Sequence, residues 1–228
     1  MAFNEEVLIQ YMIDHYRNNF PNCNIVLFNN DCTDNTIPIA KKNNCEIIHY
    51  PTNNQVDDFK LRELKNNCWK SSKTDWVLIC DIDELLNINE KKLKHEEIIG
   101  TTIISSEGYN MVNMEDNFDL TNIKYGFRAY QYDKAYLFNK KYIKEINYCH
   151  GGHSCQPIGK IKFSDKKYKL YHYKYINPDY HVSRYKITAD RLSQANIKCG
   201  MGLYYIDTPE HIRAAFESER LRVIKVIE

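Results

Sequence analysis

The sequence lacks an excess of charge of either sign. Its 228 residues contain 31 Lys and Arg against 30 Asp and Glu, so the net charge is +1. A protein with such balanced charge has no net electrostatic attraction for nucleic acid or for an anionic membrane. No apolar run reaches the roughly 18 residues that a transmembrane helix needs. Glycine and proline are sparse, at 8 and 6 residues, and the composition is typical of a folded chain rather than a disordered or fibrous one.

Closely paired cysteines are also missing. None of the eight cysteines forms a Cys-x-x-Cys pair, which argues against a zinc knuckle, and their scatter is unlike that of a small disulfide-rich secreted domain. The opening residues run into acidic Asn4-Glu5-Glu6 without the features of a signal peptide. We therefore expect reduced thiols and a cytoplasmic location. The abundance of residues with AT-rich codons (Asn, Lys, Ile and Tyr) indicates an AT-rich genome; in a viral chain the expected location is the host cytoplasm.

Strand-like and helix-like segments alternate along the first half of the chain. Short apolar runs predict strands over residues 24–28, 46–50, 76–80 and 98–105. Helical spacing predicts helices over 8–16, 33–42 and 59–69, and Thr208-Pro209-Glu210 begins another that leads from Ile212 to Ile227. This alternation is typical of an α/β fold with a mostly parallel sheet flanked by helices. Ligands of such sheets bind outside the carboxyl ends of the strands.

Two carboxylates follow the most apolar of these strands. Val77-Leu78-Ile79-Cys80 precedes Asp81-Ile82-Asp83-Glu84, and residues at i and i+2 of an extended chain face the same side. Both carboxylates can then face one cation, and oxygen ligands suit Mg²⁺ or Mn²⁺, which usually bring a diphosphate. The simpler alternative is an acidic turn that caps a helix at Leu85. A phosphatase of the haloacid dehalogenase type would need Thr in place of Leu85, so it fits poorly.

A series of motifs occurs in an order that resembles one enzyme family. The motifs are Asn4-Glu5-Glu6, Asn29-Asn30-Asp31-Cys32-Thr33-Asp34, Asp81-Ile82-Asp83-Glu84, Gly151-Gly152-His153-Ser154, His172-Tyr173-Lys174-Tyr175 and Gly200-Met201-Gly202-Leu203-Tyr204-Tyr205. Together they resemble nucleotide-sugar glycosyltransferases of GT-A fold, in the family-2-like branch where Asp-x-Asp-Glu follows a Trp-containing strand. The likeness covers nearly the whole chain.

The resemblance implies one domain over residues 1–228 with a Rossmann-like GT-A sheet. About residues 1–105 would bind the nucleotide sugar, and about residues 106–228 would form a more irregular acceptor side with C-terminal helices. Only Met1-Ala2-Phe3 precedes Asn4-Glu5, less than the full strand that normally opens such a domain. Either the first strand is very short or the chain is a fragment of a longer protein.

The resemblance also implies roles for individual residues. The donor-binding residues would be Ala2, Asn4 and Glu5 beside the nucleoside, Asn29, Asn30 and Asp34 near the base, Asp58, Arg62 and Lys65 on the helix facing the nucleotide, and Asp81 at the ribose. Asp83 would bind Mn²⁺ or Mg²⁺ directly, Asp81 would meet the same ion or its water, and His172 would be a further metal ligand. Helix capping is the alternative for Asp58, and a solvated helix face for Arg62 and Lys65.

The catalytic base is less defined. Glu107 is a candidate because it follows a predicted strand and precedes Gly108, which would direct it into the cleft, and His153 is a candidate from its motif. An imidazole can accept a proton near neutral pH. Further carboxylates that remain open as the base are Glu115, Asp116, Asp119 and Asp133. A retaining enzyme would need no such base.

The expected function is metal-dependent transfer of a sugar from a nucleoside diphosphate sugar, most often a UDP-sugar in this fold. The acceptor would be a hydroxyl of a glycan, protein or lipid. One alternative is a sugar-phosphate nucleotidyltransferase, which would need an early glycine-rich loop with Arg and Lys. Another is a carbohydrate-binding module without catalytic activity.

Overall fold

Helices and strands alternate through the first half of the chain, as the hydrophobic pattern predicts. The computed structural model describes residues 1–115 and 117–228. The helices are α1 (Ile9–Asn19), α2 (Thr36–Lys42), α3 (Asp58–Asn67), α4 (Glu90–Ile98), α5 (Pro178–Asp190), α6 (Gln194–Lys198) and α7 (Pro209–Arg220). The strands are β1 (Val26–Asn29), β2 (Glu46–His49), β3 (Trp76–Leu78), β4 (Glu84–Leu86), β5 (Ile103–Val112), β6 (Tyr125–Arg128), β7 (Leu137–Asn139), β8 (Ile143–Glu145), β9 (Ile158–Gly159), β10 (Phe163–Tyr175) and β11 (Ile224–Lys225). Single turns of 3-10 helix lie at Leu120–Asn122, Tyr130–Tyr132, His150–Gly152 and Leu203–Tyr205.

Seven strands form the main sheet, and their directions are mixed. Five lie side by side in the order β11-β6-β5-β10-β4, while β7 pairs with both β5 and β3. Within the described residues, β5 and β10 form the one parallel pair of this sheet. The α/β class with a mixed sheet and flanking helices is confirmed, but the prediction of a mostly parallel sheet is wrong. A parallel pair needs a long crossover, and the connections from β6 to β10 are too short to contain crossover helices.

A smaller parallel unit stands at the start of the chain. β1 and β2 are joined by α2 and pair in parallel, with Val26 opposite Glu46 and Asn29 opposite His49. Ala2 pairs with Asn29 through a single parallel bridge, so the first strand is reduced to one residue pair. The carboxyl ends of these strands therefore meet at one edge, as the alternation of strands and helices predicts.

Two predicted segments differ from the structure. Residues 98–105 were expected to form one strand, but Ile98 ends α4 and β5 begins only at Ile103. The Asn89 side chain caps α4 by accepting a hydrogen bond from the Lys92 amide, and Gly100, with φ +83°, ends the helical conformation. The C-terminal helix has Thr208 as its N-cap, as predicted, but it ends at Arg220 rather than Ile227.

The second half is more regular than the sequence suggested. β10 is 13 residues long and lies between β5 and β4 near the centre of the main sheet. Its register places His172 opposite Glu84 on β4 and Asn110 on β5. The expectation of an irregular acceptor half is therefore wrong for this strand, which positions part of the site.

Helix α1 packs against the sheet and fixes the strand that follows the two aspartates. Ile9 and Ile13, one helical turn apart, are fully buried in the same apolar cluster as Leu85 on β4. The Tyr16 hydroxyl donates a hydrogen bond of 2.9 Å to the backbone carbonyl of Glu84. The position of β4 is thus set by helix packing as well as by strand pairing.

All eight cysteines are free thiols. Across residues 1–115 and 117–228, no helix is both long enough and apolar enough to cross a membrane.

Candidate functional site

The site is centred on the turn between β3 and β4. Ile82 and Asp83 form this turn, and the amide of Glu84 donates a hydrogen bond of 3.2 Å to the carbonyl of Asp81. The chain is therefore not extended here, and the expectation that Asp81 and Asp83 share one side through i, i+2 geometry is wrong. The turn instead gives the two carboxylates different partners.

Four carboxylates around this turn each have their own basic partner. The pairs and their N–O distances are Glu5 with Arg184 (2.7 Å), Asp81 with Lys65 (2.7 Å), Asp83 with His172 (3.4 Å) and Glu84 with Lys134 (2.6 Å). Lysine and arginine carry a permanent charge, whereas histidine is charged only when protonated. Asp83 is thus the carboxylate of this group whose negative charge lacks a permanent counterion.

The protonation of the two aspartates follows from these partners. Burial alone would raise the pKa of Asp81, but the ammonium groups of Lys65 and Lys134 outweigh it and hold that pKa below its ordinary value. Burial likewise acts to raise the pKa of Asp83, and the His172 imidazole outweighs it, so the pKa is lowered. Both aspartates are therefore ionised at neutral pH.

Asp83, Glu84 and His172 form a group that fits a metal ion. Each offers one ligand atom, and these atoms lie within 4.8 Å of one another. The Glu84 Oε2 atom is buried and has no hydrogen-bond partner in residues 1–115 and 117–228, while its other oxygen accepts from Lys134. An unpartnered buried carboxylate oxygen is costly unless a cation or donor satisfies it. Carboxylate oxygens with one imidazole suit Mn²⁺ and, less well, Mg²⁺.

The orientation of the His172 ring is consistent with binding of a metal ion. Its Nδ1 donates a hydrogen bond of 2.7 Å to the side-chain oxygen of Asn110, so Nε2 is the ring nitrogen that faces Asp83 and would face a cation bound there. The ring stacks on Tyr132 with a centroid separation of 4.0 Å. Such outer contacts fix the orientation of a ligating imidazole.

The sequence-based ligand set is therefore only partly brought together. Asp83 and His172 lie in one group, whereas Asp81 is held by Lys65 outside that group. The sequence analysis did not identify Glu84 as a candidate ligand. Glu84 directly follows the Asp-x-Asp pair and was interpreted as a residue that flanks the metal site. Its place in the Asp-x-Asp-Glu motif was the one available signal.

A cleft opens beside Asp83 and His172. Arg184, on α5, lines this cleft and donates to Glu5 Oε1 (2.7 Å) and to the backbone carbonyl of Asn4 (3.3 Å). It brings a fixed positive charge to the edge where the first strand ends. Sequence reasoning missed Arg184 because no local pattern distinguishes it from other helix-surface arginines.

The residues expected around the nucleoside lie close together but mostly bond to one another. Ala2 is fully buried, and its amide and carbonyl pair with Phe28 and Asn30. Asn4 accepts from the Thr33 amide (2.8 Å), and Asp34 accepts from the amides of Glu6 and Thr36. Asn29 accepts from the Cys32 amide (3.0 Å). These contacts stabilise the two loops that follow the Ala2 bridge and β1. A ligand at this edge would therefore contact mainly the backbone and the exposed surface of these loops.

Asn30 is a buried link to a second arginine. It donates to Thr52 (2.9 Å) and accepts from the Arg191 guanidinium (2.7 Å). That guanidinium lies 3.2 Å from the centroid of the Phe3 ring. Burial, and then the charge of Arg184, lowers the pKa of Arg191 to about 10, so it remains a cation at neutral pH.

Helix α3 contributes one residue to the site. The Asp57 side chain caps it by accepting from the amides of Phe59 and Lys60, whereas Asp58 accepts from the Asn196 amide group (3.0 Å). Arg62 lies 5.8 Å from the Phe59 ring centroid, and neither Asp58 nor Arg62 lines the cleft.

Lys65 differs from the solvated alternative considered for it. Its side chain is buried and its Nζ donates to Asp81 (2.7 Å). Lys65 lies on the side of α3 that faces the end of β3, and its ammonium group orients the Asp81 carboxylate.

The two candidate bases lie in different places. Glu107 does not follow a strand but lies within β5, where the Arg128 Nε donates to it at 3.2 Å. Alternate strand residues face opposite sides, so Glu107 points away from the face that carries Asn110 and His172. The structure therefore does not bring Glu107 to the cleft.

His153 lies one ring away from the cleft. Its Nδ1 donates to the carbonyl of Gln131 (2.8 Å), and its ring meets the edge of Tyr132. Burial, reinforced by the charge of Lys134, lowers the pKa of His153 below its ordinary value, so the imidazole is neutral at pH 7. Gly151 adopts φ +71°, and a side chain there would lie within 2.7 Å of the His153 ring, which explains the glycine.

The remaining candidate bases are engaged elsewhere or undescribed. Asp133 accepts from Arg128 at 2.6 Å, Asp119 caps a turn through Thr121, and Glu115 accepts from Asn117. Asp116 lies outside the described residues.

Neither models of known protein families nor curated proteins give a match to this sequence. The inference of function thus depends on the geometry of the site.

Proposed function

We propose that the chain is a metal-dependent glycosyltransferase of GT-A fold that transfers a sugar from a nucleoside diphosphate sugar, UDP-sugar first among them. One observation carries this proposal. Asp83, Glu84 and His172 converge beside a cleft that Arg184 also lines, and one Glu84 oxygen has no partner among the residues that the structure describes. The motif order described above is the supporting resemblance.

The chain's own residues would divide the work of donor binding. Asp83, Glu84 and His172 would hold Mn²⁺ or Mg²⁺, which offsets charge on the departing diphosphate. Arg184 supplies a second cation at the same cleft. Guanidinium groups bind phosphate oxygens through paired hydrogen bonds, so Arg184 would bind a phosphate that the ion leaves exposed.

Asp81 would bind the ribose rather than the ion. Lys65 already neutralises it at 2.7 Å, and its side chain remains partly exposed. A carboxylate oriented in this way can still accept a hydrogen bond from a sugar hydroxyl. This division assigns different ligands to the two aspartates of the motif.

Of the two candidate bases, His153 is the one we retain. It is neutral and lies beside Tyr132 at the cleft, whereas Glu107 pairs with Arg128 on the opposite face of β5. An inverting transfer would need His153 to accept the acceptor's proton at Nε2, since Nδ1 already donates to Gln131. We also propose a cytoplasmic location, because eight free thiols suit a reducing compartment.

The loop that follows the Ala2–Asn29 bridge does not support the alternative of a sugar-phosphate nucleotidyltransferase. That loop contains Asn4 and the buried Glu5 rather than a glycine-rich, basic segment.

A thermal-stability assay with UDP, GDP and dTDP, each with and without Mn²⁺, tests the proposal. We expect one diphosphate to raise the melting temperature only when Mn²⁺ is present, because ligand binding to the folded state stabilises it. Asp83→Asn should abolish the rise. Asp75→Asn, at the other end of β3 and paired with Lys141, is the matched control and should retain it. The absence of a response to every nucleotide and metal pair in the wild type would refute the proposal.

A further inference from the structure

Tyrosines form much of the lining of the cleft. The six that line it are Tyr132, Tyr173, Tyr180, Tyr185, Tyr204 and Tyr205. Leu8 is the one aliphatic hydrocarbon side chain among the cleft-lining residues that the structure describes. An acyl or isoprenoid chain would need a groove of aliphatic side chains, so the lining favours a ligand with both apolar faces and many hydroxyls.

Tyr204 presents an open ring at this cleft. It is 63% exposed, although its ring packs on Tyr205 with a centroid separation of 4.3 Å and an interplanar angle of 36°. Tyr205 in turn meets Tyr185 of α5 edge to face at 5.1 Å. The exposed ring is thus supported from behind by a helix, which limits the entropy that a ligand would have to remove on stacking.

The turn that carries Tyr204 is anchored to the body of the protein. Gly202 adopts φ +74°, and a side chain at this position would lie 2.7 Å from Leu192. Glycine therefore allows the 3-10 turn at 203–205 to pack closely. The backbone of the turn that carries Tyr204 therefore lies close to Leu192.

The tyrosines of the cleft also carry hydroxyl groups that can form hydrogen bonds with a ligand. The Tyr180 hydroxyl is buried and has no hydrogen-bond partner among the described residues. The charge of Asp83 acts on the hydroxyls of Tyr132 and Tyr205, so these groups lie near the metal-fitting cluster. Buried hydroxyls tend to be satisfied by a partner, and a sugar hydroxyl would supply one.

A peptide fits the cleft less well. β10 lines the cleft but lies inside the main sheet, and its neighbour β4 lies at the sheet edge with all three of its residues buried. No strand edge is thus available at β4 for an extended peptide to pair with.

We propose that this tyrosine-lined part of the cleft is the acceptor subsite and that the acceptor is a neutral oligosaccharide, one of whose sugars stacks on Tyr204. The C–H face of a pyranose packs on an aromatic ring, and tyrosine adds a polar edge for the sugar hydroxyls. The inference rests on the proposed function, because it takes Asp83 and His172 as the donor side of the same cleft.

Binding of neutral tetrasaccharides to the full chain tests this inference. Chitotetraose, cellotetraose, maltotetraose and xylotetraose are titrated in the presence of UDP and Mn²⁺ and followed by ligand-observed NMR. We expect at least one to bind, and Tyr204→Ala to weaken that binding about three- to tenfold. Tyr204→Phe keeps the ring and should bind nearly as the wild type does. Tyr142→Ala removes a tyrosine that is 43% exposed and outside the cleft, so it is the matched control.

The outcomes separate this inference from the proposed function. Oligosaccharide binding that Tyr204→Ala leaves unchanged would overturn the subsite, as would binding of farnesyl phosphate in place of every tetrasaccharide. A wild type that responds to UDP and Mn²⁺ but binds no tetrasaccharide refutes the acceptor class and leaves the donor site standing. Tetrasaccharide binding through Tyr204 without any nucleotide response supports the subsite and refutes the transferase.

Discussion

Replacing Lys134 with Met should destabilise the fold strongly. Lys134 and Glu84 are 1% and 2% exposed at their side chains, and their N–O distance is 2.6 Å. At an effective dielectric constant of about 20, two unit charges at this distance attract by about 6 kcal/mol before desolvation is counted. Removing one partner leaves the other charge buried and unpaired, which lowers the free energy of unfolding by about 3–5 kcal/mol. The Tyr136 hydroxyl also loses its 2.6 Å contact with the Lys134 Nζ.

Urea denaturation followed by circular dichroism measures this loss. For a domain of this length, the change corresponds to a fall in melting temperature of about 6–20 °C. Adding Glu84→Gln to Lys134→Met removes the unpaired charge, so the double variant should regain much of the stability.

The matched control is Lys141→Met, which breaks an exposed ion pair with Asp75. We expect no change beyond the error of the measurement for it, because exposed pairs contribute little. A loss of less than about 1 kcal/mol in Lys134→Met would show that the pair is not buried and would refute the reasoning.

Three further predictions concern the metal ligand, a buried acid and a helix cap. Asn110→Ala removes the acceptor that orients His172 and should weaken Mn²⁺ binding about 10- to 100-fold in calorimetry; unchanged affinity would contradict this role. Burial, only partly offset by Arg184, raises the pKa of Glu5 from 4.5 to about 7. The folded state therefore binds more protons than the unfolded state between these values, so the free energy of unfolding should fall by roughly 3 kcal/mol as pH rises through this range. Urea titrations at pH 5 and pH 8 should show this fall in the wild type and a much smaller one in Glu5→Gln. Asp57→Ala removes the cap of α3 and should lower the free energy of unfolding by about 1 kcal/mol; a matching loss in the neighbouring variant Lys60→Ala would contradict the capping origin.

Local sequence patterns predicted the elements that depend on local interactions. Asp57 and Thr208 cap helices at the starts predicted for those helices, and the strand predicted over residues 76–80 forms, although it ends at Leu78. These features follow from side-chain-to-backbone bonds within three residues and from the periodicity of apolar residues, both of which can be read along the chain. The strand predicted over residues 98–105 failed because an apolar pair, Ile98-Ile99, can end a helix as readily as begin a strand.

Sheet direction and charge pairing could not be read in the same way. A strand's periodicity does not distinguish parallel from antiparallel neighbours, so the mixed main sheet was missed. Glu107 was assigned to the cleft from its sequence neighbours, yet the register of β5 turns it to the opposite face. A shift of one residue along a strand reverses the side on which every side chain lies.

The sequence by itself determined the chemical groups available to this protein: three acids among the four residues 81–84 that follow an apolar strand, a histidine in an alternating segment, and an abundance of tyrosine. Only the tertiary structure decided how these groups are matched. In the folded chain Asp81 pairs with Lys65, Glu84 pairs with Lys134, and Asp83 pairs with His172. Tyrosines from distant segments of the chain line one cleft. The physical reason is that ion pairing and desolvation depend on distances across strand pairings and helix contacts, which join residues far apart in the chain.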